Sequence, residues 1–586
     1  MITNDERHRA GGKAITFGFL ALLVLLSMRV VAGTTDGGTI VVSLRPSAPD
    51  RSGRIGWVEI AVREPVSTDA AGKPLVRMPL VTSNVRTVAS VVRDIKARDA
   101  DGPLALTYRD DPAGQKPYRH WIAARPVHGP VTINYRVAIS DAPNPLGAAP
   151  PFELRSEDAV FSGLTGAFLI LPDIDRDYRL ALHWNFAGLG GHALGVSTLG
   201  LGDRTSTAAE SPDRLESIFV MGGRLAHEPD RPAADGFFSA WQGTPPFDAR
   251  ALLQWTHRLY AYYLKFFHAS NTTYTVYLRR NPINPGGGVE VQNSFVGTFG
   301  QHTKVGDFKL TLAHEMVHTF VGALDAKSVK DELADSWFAE GLAVYYQRLL
   351  PWRAGQISRA AYLRDLNATA ARYYTDKLNT TPNDRIADRF WPDTRVRVLP
   401  YDRGSLYFAQ LNAEISKASG GKRSLDNLLF AFLRRRAGGK PLTQSAWVDV
   451  VTRELGVRGK QQFDDMMSGK PIILNSDAFG LCFRRVVVPL HRYQLGFTPD
   501  VLIEPRRIVR GLIPTSAAAR AGLRNGDEII RPVPQDGIQA DQHATLTLRV
   551  RRGKKVMDIT YLPRGKVVDT YQWVESGDKR CRTLSP

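Results

Sequence analysis

Cysteine is nearly absent from this 586-residue chain: Cys482 and Cys581 are the two present. Two thiols are too few for a disulfide framework, yet in an exported protein an even count permits one bridge. They flank the last hundred or so residues, so a bridge would tie the two ends of a C-terminal domain together; two unrelated buried thiols are the other reading. Long apolar runs are also scarce. After the first thirty-odd residues no stretch is apolar and long enough for a spanning helix. The Gly-rich run Gly188-Leu189-Gly190-Gly191 lacks a following Gly-Lys-Ser/Thr, so it makes no phosphate loop. Long basic runs are missing too. The net charge is +18, but Lys and Arg are dispersed, with only short clusters such as Arg434-Arg435-Arg436. Nucleic acid is therefore not an expected partner, and a positive surface facing an anionic cell envelope accounts for the charge.

What is present at the start reads as an export signal. Arg7, Arg9 and Lys13 precede an apolar run from Ala14 to Met28, then Val30-Val31-Ala32 before Gly33. Residues 1–32 are expected to be a signal peptide and the mature protein periplasmic or secreted; an uncleaved segment would instead anchor it, which is the one route to membrane contact.

At this length one core is insufficient, since single cores stop growing near roughly 250–300 residues. Short β-branched runs such as Thr39-Ile40-Val41-Val42-Ser43 and Trp57-Val58-Glu59-Ile60-Ala61-Val62, separated by Pro, Gly and Asp, predict an N-terminal all-β, sandwich-like domain over 33–175. Helical spacing of Leu252, Leu253, Leu259, Tyr262 and Phe266 opens a more helical region, and amphipathic stretches at Ser358–Leu378 and Ser405–Phe432 continue it. An α+β domain is expected over 176–475, with a helical lobe from about 350. Short strands return after Pro471, marking a β-rich domain over 476–586.

The chemistry concentrates at His314-Glu315-Met316-Val317-His318. Two imidazoles four residues apart on one helix face can reach one ion, and Glu315 between them can hold an attacking water. Downstream, Trp337-Phe338-Ala339-Glu340-Gly341-Leu342-Ala343-Val344-Tyr345-Tyr346 places a carboxylate among apolar residues, where it needs a partner. Zinc is an adequate one, so Glu340 is the expected third ligand of one Zn2+ per chain. Asp335, little more than a turn upstream, is the expected acceptor for a ligand imidazole N–H.

H-E-x-x-H followed by W-x-x-E-G resembles the gluzincin metallopeptidases. The continuation through Gln347, Trp352-Arg353-Ala354-Gly355-Gln356-Ile357-Ser358 and Tyr362-Leu363 is similar to the glycyl aminopeptidase family in particular. The resemblance implies an N-terminal β domain, a thermolysin-like catalytic domain and a C-terminal PDZ domain. It implies that Gly287, Gly288 and Glu290 form a loop in which Glu290 binds the substrate's free amino group. The family usually has His after that Glu, where this chain has Val291. It also implies that Tyr401 of Tyr401-Asp402-Arg403-Gly404 stabilises the oxyanion. An extended peptide is expected to lie along an edge strand near Val291–Phe299.

The segment from Arg510 to Ile530, with Ala521-Gly522-Leu523 and Gly526-Asp527, resembles PDZ domains, and Leu495-Gly496-Phe497 resembles their carboxylate loop, which would take a C-terminal peptide. Pro532, Pro534 and Gly537 stand where the usual helix would follow. The expected activity is removal of small N-terminal residues, glycine or alanine, from peptides. A zinc endopeptidase, and an inactive PDZ-containing scaffold, are the alternatives.

Overall fold

A computed structural model describes residues 36–581 apart from 84, 112–115, 141–149, 271, 282–284, 532, 534, 536–537 and 579–580. The expected signal peptide, like Pro532, Pro534 and Gly537, lies outside the described residues.

The N-terminal third is β-rich. A seven-stranded sheet is built around Asp36–Pro46 and Trp57–Glu64, and a four-stranded sheet contains Pro74–Pro79 and Tyr118–Ala123. Alternating side chains of both sheets, including Val58, Ile60, Val62, Val76, Met78 and Trp121, share one core. The expected boundary at 175 falls inside this unit. Asp177–Trp184 pairs in parallel with Asp36–Pro46, because its buried Leu180 and Leu182 complete the same core.

A second five-stranded sheet, carrying Val160–Leu164 and Phe219–Gly223, covers the back of the catalytic sheet. The catalytic sheet has strands β1 (Ala226–Glu228), β2 (Phe237–Trp241), β3 (Tyr274–Arg280), β4 (Gly288–Val291) and β5 (Ser294–Phe299), in the order β1-β2-β3-β5-β4. β2, β3 and β5 run parallel, while β4 folds back on β5 through Gln292-Asn293, so β4 is the edge. Asn293 takes a positive φ of 50°, which its side chain tolerates in a tight turn. The expected docking edge of Val291–Phe299 is thus corrected: β5 is interior, and the free edge belongs to β4.

The α-helices longer than a single turn are α1 (Ala249–Phe266), α2 (Val305–Val321), α3 (Val329–Asp335), α4 (Trp337–Arg353), α5 (Arg359–Thr375), α6 (Leu399–Ala418), α7 (Leu425–Ala437), α8 (Gln444–Leu455) and α9 (Val457–Met467), among the described residues. The stretch read as Ser405–Phe432 is two helices, broken where Gly420 and Gly421 take φ of 61° and 81°. In α4 every residue from Trp337 to Pro351 is buried, the mark of a helix packed on all sides.

The C-terminal region hangs on a two-stranded ribbon, β6 (Phe483–Tyr493) with β11 (Arg564–Glu575). At its far end lies a small sheet of β7 (Arg507–Ile508), β8 (Glu528–Ile529), β9 (Leu546–Arg552) and β10 (Lys555–Tyr561), with its own core around Leu495, Val509, Leu548 and Val550. The ribbon's near end joins the catalytic core through Phe483 and Trp573. There a disulfide links Cys482 to Cys581. Each ribbon edge is closed by one side-chain amide: Asn367 of α5 pairs with the N–H and C=O of Trp573, and Gln542 with those of His491. Such caps occupy backbone groups that would otherwise offer pairing to another chain.

Candidate metal centre

α2 carries His314, Glu315 and His318 on a helix whose Phe308, Leu312, Ala313, Met316 and Val317 sit in the catalytic core. It stops one turn beyond His318. Gly322 has φ 66° and ψ −177°, a region left almost wholly to glycine, and its N–H bonds to His318 O at 3.0 Å. Arg436 of α7 then donates to Val321 O and Ala323 O, each at 2.8 Å. Glu340 comes from the first turn of α4. α4 and α6 cross with their backbones touching: a Cβ on Gly341 would lie 2.5 Å from Gly404 Cα. That approach brings Tyr401, at the start of α6, over His314, with ring centroids 6.0 Å apart and planes 14° from parallel.

His314 Nε2, His318 Nε2 and Glu340 Oε2 converge, at 3.1 Å (His314 to Glu340), 3.3 Å (His314 to His318) and 3.5 Å (His318 to Glu340). Ligand atoms about 2.0–2.1 Å from a tetrahedral zinc ion are about 3.3–3.4 Å apart. The three donors already stand at that spacing, buried, with two neutral-nitrogen donors and one carboxylate, so the residues present fit zinc. Among the described residues they are the one group of three or more His, Cys, Asp or Glu side chains so placed. Burial would raise the Glu340 carboxyl, but hydrogen bonds from His314 and His318 outweigh it and hold it at about 2. Burial pushes Glu315 up to about 8; His314 opposes this, Glu340 and Glu290 add to it, and the Glu290 backbone N–H again lowers it. Glu315 Oε1 is buried with no hydrogen-bond partner among the described residues.

Glu290 lies on β4, facing the site. Burial, then its neighbour Glu340, push its carboxyl up to about 8. Val291 is on the opposite face: with Val289, Val296, Tyr277 and Phe219 it forms the apolar layer behind the sheet, as strand alternation requires. The residue that departs from the family pattern therefore does not reach the metal centre. Gly288 lets β4 lie against β5, since a Cβ there would meet Phe295 Cζ at 2.1 Å, and Gly287 O accepts from Thr298 N and Oγ1.

The expectation for Asp335 needs correction. It closes α3, a separate helix, half-buried, and no hydrogen bond joins it to either imidazole among the described residues. The acceptor on His314 Nδ1 is Gln347 Oε1, at 2.9 Å, while His318 Nδ1 is buried with no partner among the described residues. Gln347 is two turns beyond Glu340, so a polar residue on the ligand face of an otherwise apolar helix was the available signal.

Residues 308–385, spanning α2 through α5, match the family described as M61 glycyl aminopeptidase. The chain carries a zinc metallopeptidase domain of the glycyl aminopeptidase type. The fold of the whole peptidase is similar to that of an aminopeptidase N family protein from Idiomarina loihiensis, with TM-score 0.66, 15% identity, and 93% of this chain and 100% of that one covered. An M1 zinc metallopeptidase from Deinococcus radiodurans aligns at TM-score 0.42 and 16% identity, over 75% of this peptidase and 95% of that chain. No curated protein matches the chain.

Proposed function

We propose that the protein is an exported aminopeptidase that removes small N-terminal residues from peptides, with Glu290 as the anchor for the substrate's α-ammonium. One observation carries this reading: Glu290 faces the metal centre from the edge strand, and no cation of the described residues pairs with it. An ionised carboxyl facing the metal ligands from a half-buried strand position gains from a positive partner, and a peptide's free amino terminus supplies one. Pairing of the peptide backbone along β4 then sets the first peptide bond between Glu290 and the metal ligands.

Zinc, held by His314, His318 and Glu340, supplies a Lewis acid that polarises a carbonyl and acidifies water. Glu315 takes the proton of the attacking water and returns it to the leaving amine. The Glu290 N–H steadies the Glu315 carboxyl, and the Tyr401 hydroxyl donates to the oxyanion. The preference for glycine follows the matched family's description, and alanine is the next larger side chain. Export is supported by the disulfide, which persists in oxidising compartments. We also propose a PDZ-like C-terminal unit over about 483–575. In its support, the backbone N–H groups of Leu495, Gly496 and Phe497 make no hydrogen bond among the described residues, leaving a loop able to hold a peptide carboxylate.

The test compares a glycine- or alanine-headed peptide with its N-acetylated form. Cleavage of the free peptide alone is expected, and equal cleavage of both would remove the aminopeptidase reading in favour of an endopeptidase. Glu290→Gln should raise KM for the free peptide far more than it lowers kcat.

A further inference from the structure

We propose that Asp365 of α5, which touches no metal ligand, is a positioning residue that sets the tautomer and ring orientation of His314 through Gln347. The inference rests on the zinc reading above. The path is short and buried throughout: His314 Nδ1 meets Gln347 Oε1 at 2.9 Å, and Gln347 Nε2 donates to both Asp365 oxygens, at 3.1 and 3.0 Å. Asp365 is held in turn by Arg348 Nε at 2.6 Å, and Arg348 by Thr369 Oγ1 at 2.7 Å and Ser405 Oγ at 3.2 Å.

The chemistry of these groups leaves one arrangement. A carboxylate paired with a guanidinium only accepts, so the Gln347 NH2 must face Asp365. Its oxygen must then face His314, and an amide oxygen only accepts as well. His314 Nδ1 therefore carries the proton, and its Nε2 presents a lone pair toward His318 and Glu340, where the metal binds. Without Asp365 the Gln347 amide could turn over and offer an N–H to Nδ1, which would favour the tautomer with the proton on the ligand nitrogen. The neutral amide alone does not choose; the carboxylate chooses for it. His318, with no partner on Nδ1 among the described residues, shows no equivalent device there.

The experiment measures zinc affinity of the full-length protein by competition with a chromogenic chelator, alongside thermal unfolding of the metal-free form. Gln347→Met and Asp365→Asn should each weaken zinc about 10–100-fold, and the double variant no more than the worse single one, because both cut one path. Asp393→Asn is the control: it breaks the ion pair of another buried carboxylate, with Arg395, shares no hydrogen-bond partner with Asp365, Gln347 or His314 among the described residues, and should keep wild-type zinc affinity while losing stability. If Asp365→Asn does not fold, Asp365→Glu replaces it, with weakened zinc binding expected. Wild-type affinity in a folded Asp365 variant, or an equal loss in Asp393→Asn, overturns the proposal. A wild-type protein that binds no zinc overturns the metal reading, and this inference with it.

Discussion

Glu290 and Val291 are neighbours in the chain and belong to different cores. Read linearly, valine in place of the family's histidine bears on the amino-terminus site. On the pleated strand the two side chains part, and Val291 replaces nothing that touches substrate; it fills the layer where the β-rich region backs the catalytic sheet. In the proposed mechanism the groups that touch the reacting atoms are Glu315 and Tyr401. Glu315→Gln keeps shape and both histidines, so zinc content should hold while kcat falls about 10²–10⁴-fold, the worth of a placed general base. Tyr401→Phe removes one oxyanion donor and should lower kcat about 10²–10³-fold with KM nearly unchanged. Metal analysis and steady-state kinetics on glycine and alanine arylamides check both.

Elements place these residues more tightly than their sequence spacing suggests. Gly341 and Gly404 allow α4 and α6 to touch, and that contact sets the distance between the Glu340 turn and the Tyr401 turn. Gly341→Ala would drive a methyl into the Gly404 backbone and should cost about 1–3 kcal/mol, with kcat falling although no reacting group is altered; denaturant unfolding and kinetics read the two effects. A different strain sits at the end of the strand Trp57–Glu64. Glu64 is fully buried, neither oxygen has a hydrogen-bond partner among the described residues, and burial raises its pKa well above the ordinary 4.5. The unfolded chain releases this proton first, so the native state binds more protons and stability falls as pH rises from about 4.5 toward the raised value. Glu64→Gln should abolish that slope and leave the protein more stable than wild type at pH 8, as urea unfolding across pH 4–8 would show.

The elements also show what a linear reading can reach. H-E-x-x-H is legible because helix geometry turns a spacing of four into a shared face, and Glu340 because a lone carboxylate in an apolar run demands a partner. Asp335 misleads for the complementary reason: nearness in sequence does not carry across the cap at Ser336, whereas Gln347, seven residues on, stays on the face of Glu340. Asp365 was out of reach, since α5 is an independent helix and nothing in its periodicity says which turn meets α4. The boundary at 175 failed because a parallel pairing joins Asp36–Pro46 to a strand some 140 residues later, and long-range pairing leaves no local mark.

At the scale of the molecule, one small buried centre lies in the catalytic core, and the last unit joins that core through a neck, the ribbon of β6 and β11. The Cys482–Cys581 bridge closes a loop of 99 residues, for which the entropic account gives about 4.7 kcal/mol. Reduction should therefore lower the unfolding temperature of the last unit while activity on glycine arylamide at 25 °C persists, because Phe483 and Trp573 remain packed in the catalytic core. Calorimetry with and without reductant distinguishes this from a bridge on which the whole fold depends.

The neck itself has a consequence beyond stability. β6 leaves the catalytic core and β11 returns to it side by side, with Asn367 gripping the returning strand at Trp573. Everything between them, about residues 494–563, is a continuous run of sequence that meets the helical lobe again, through Gln539 against Thr394 and Asp500 against Arg389. Exchanging that run would therefore release a latch on the segment between α5 and α6 as well as the distal sheet, although His314, His318 and Glu340 all lie outside it.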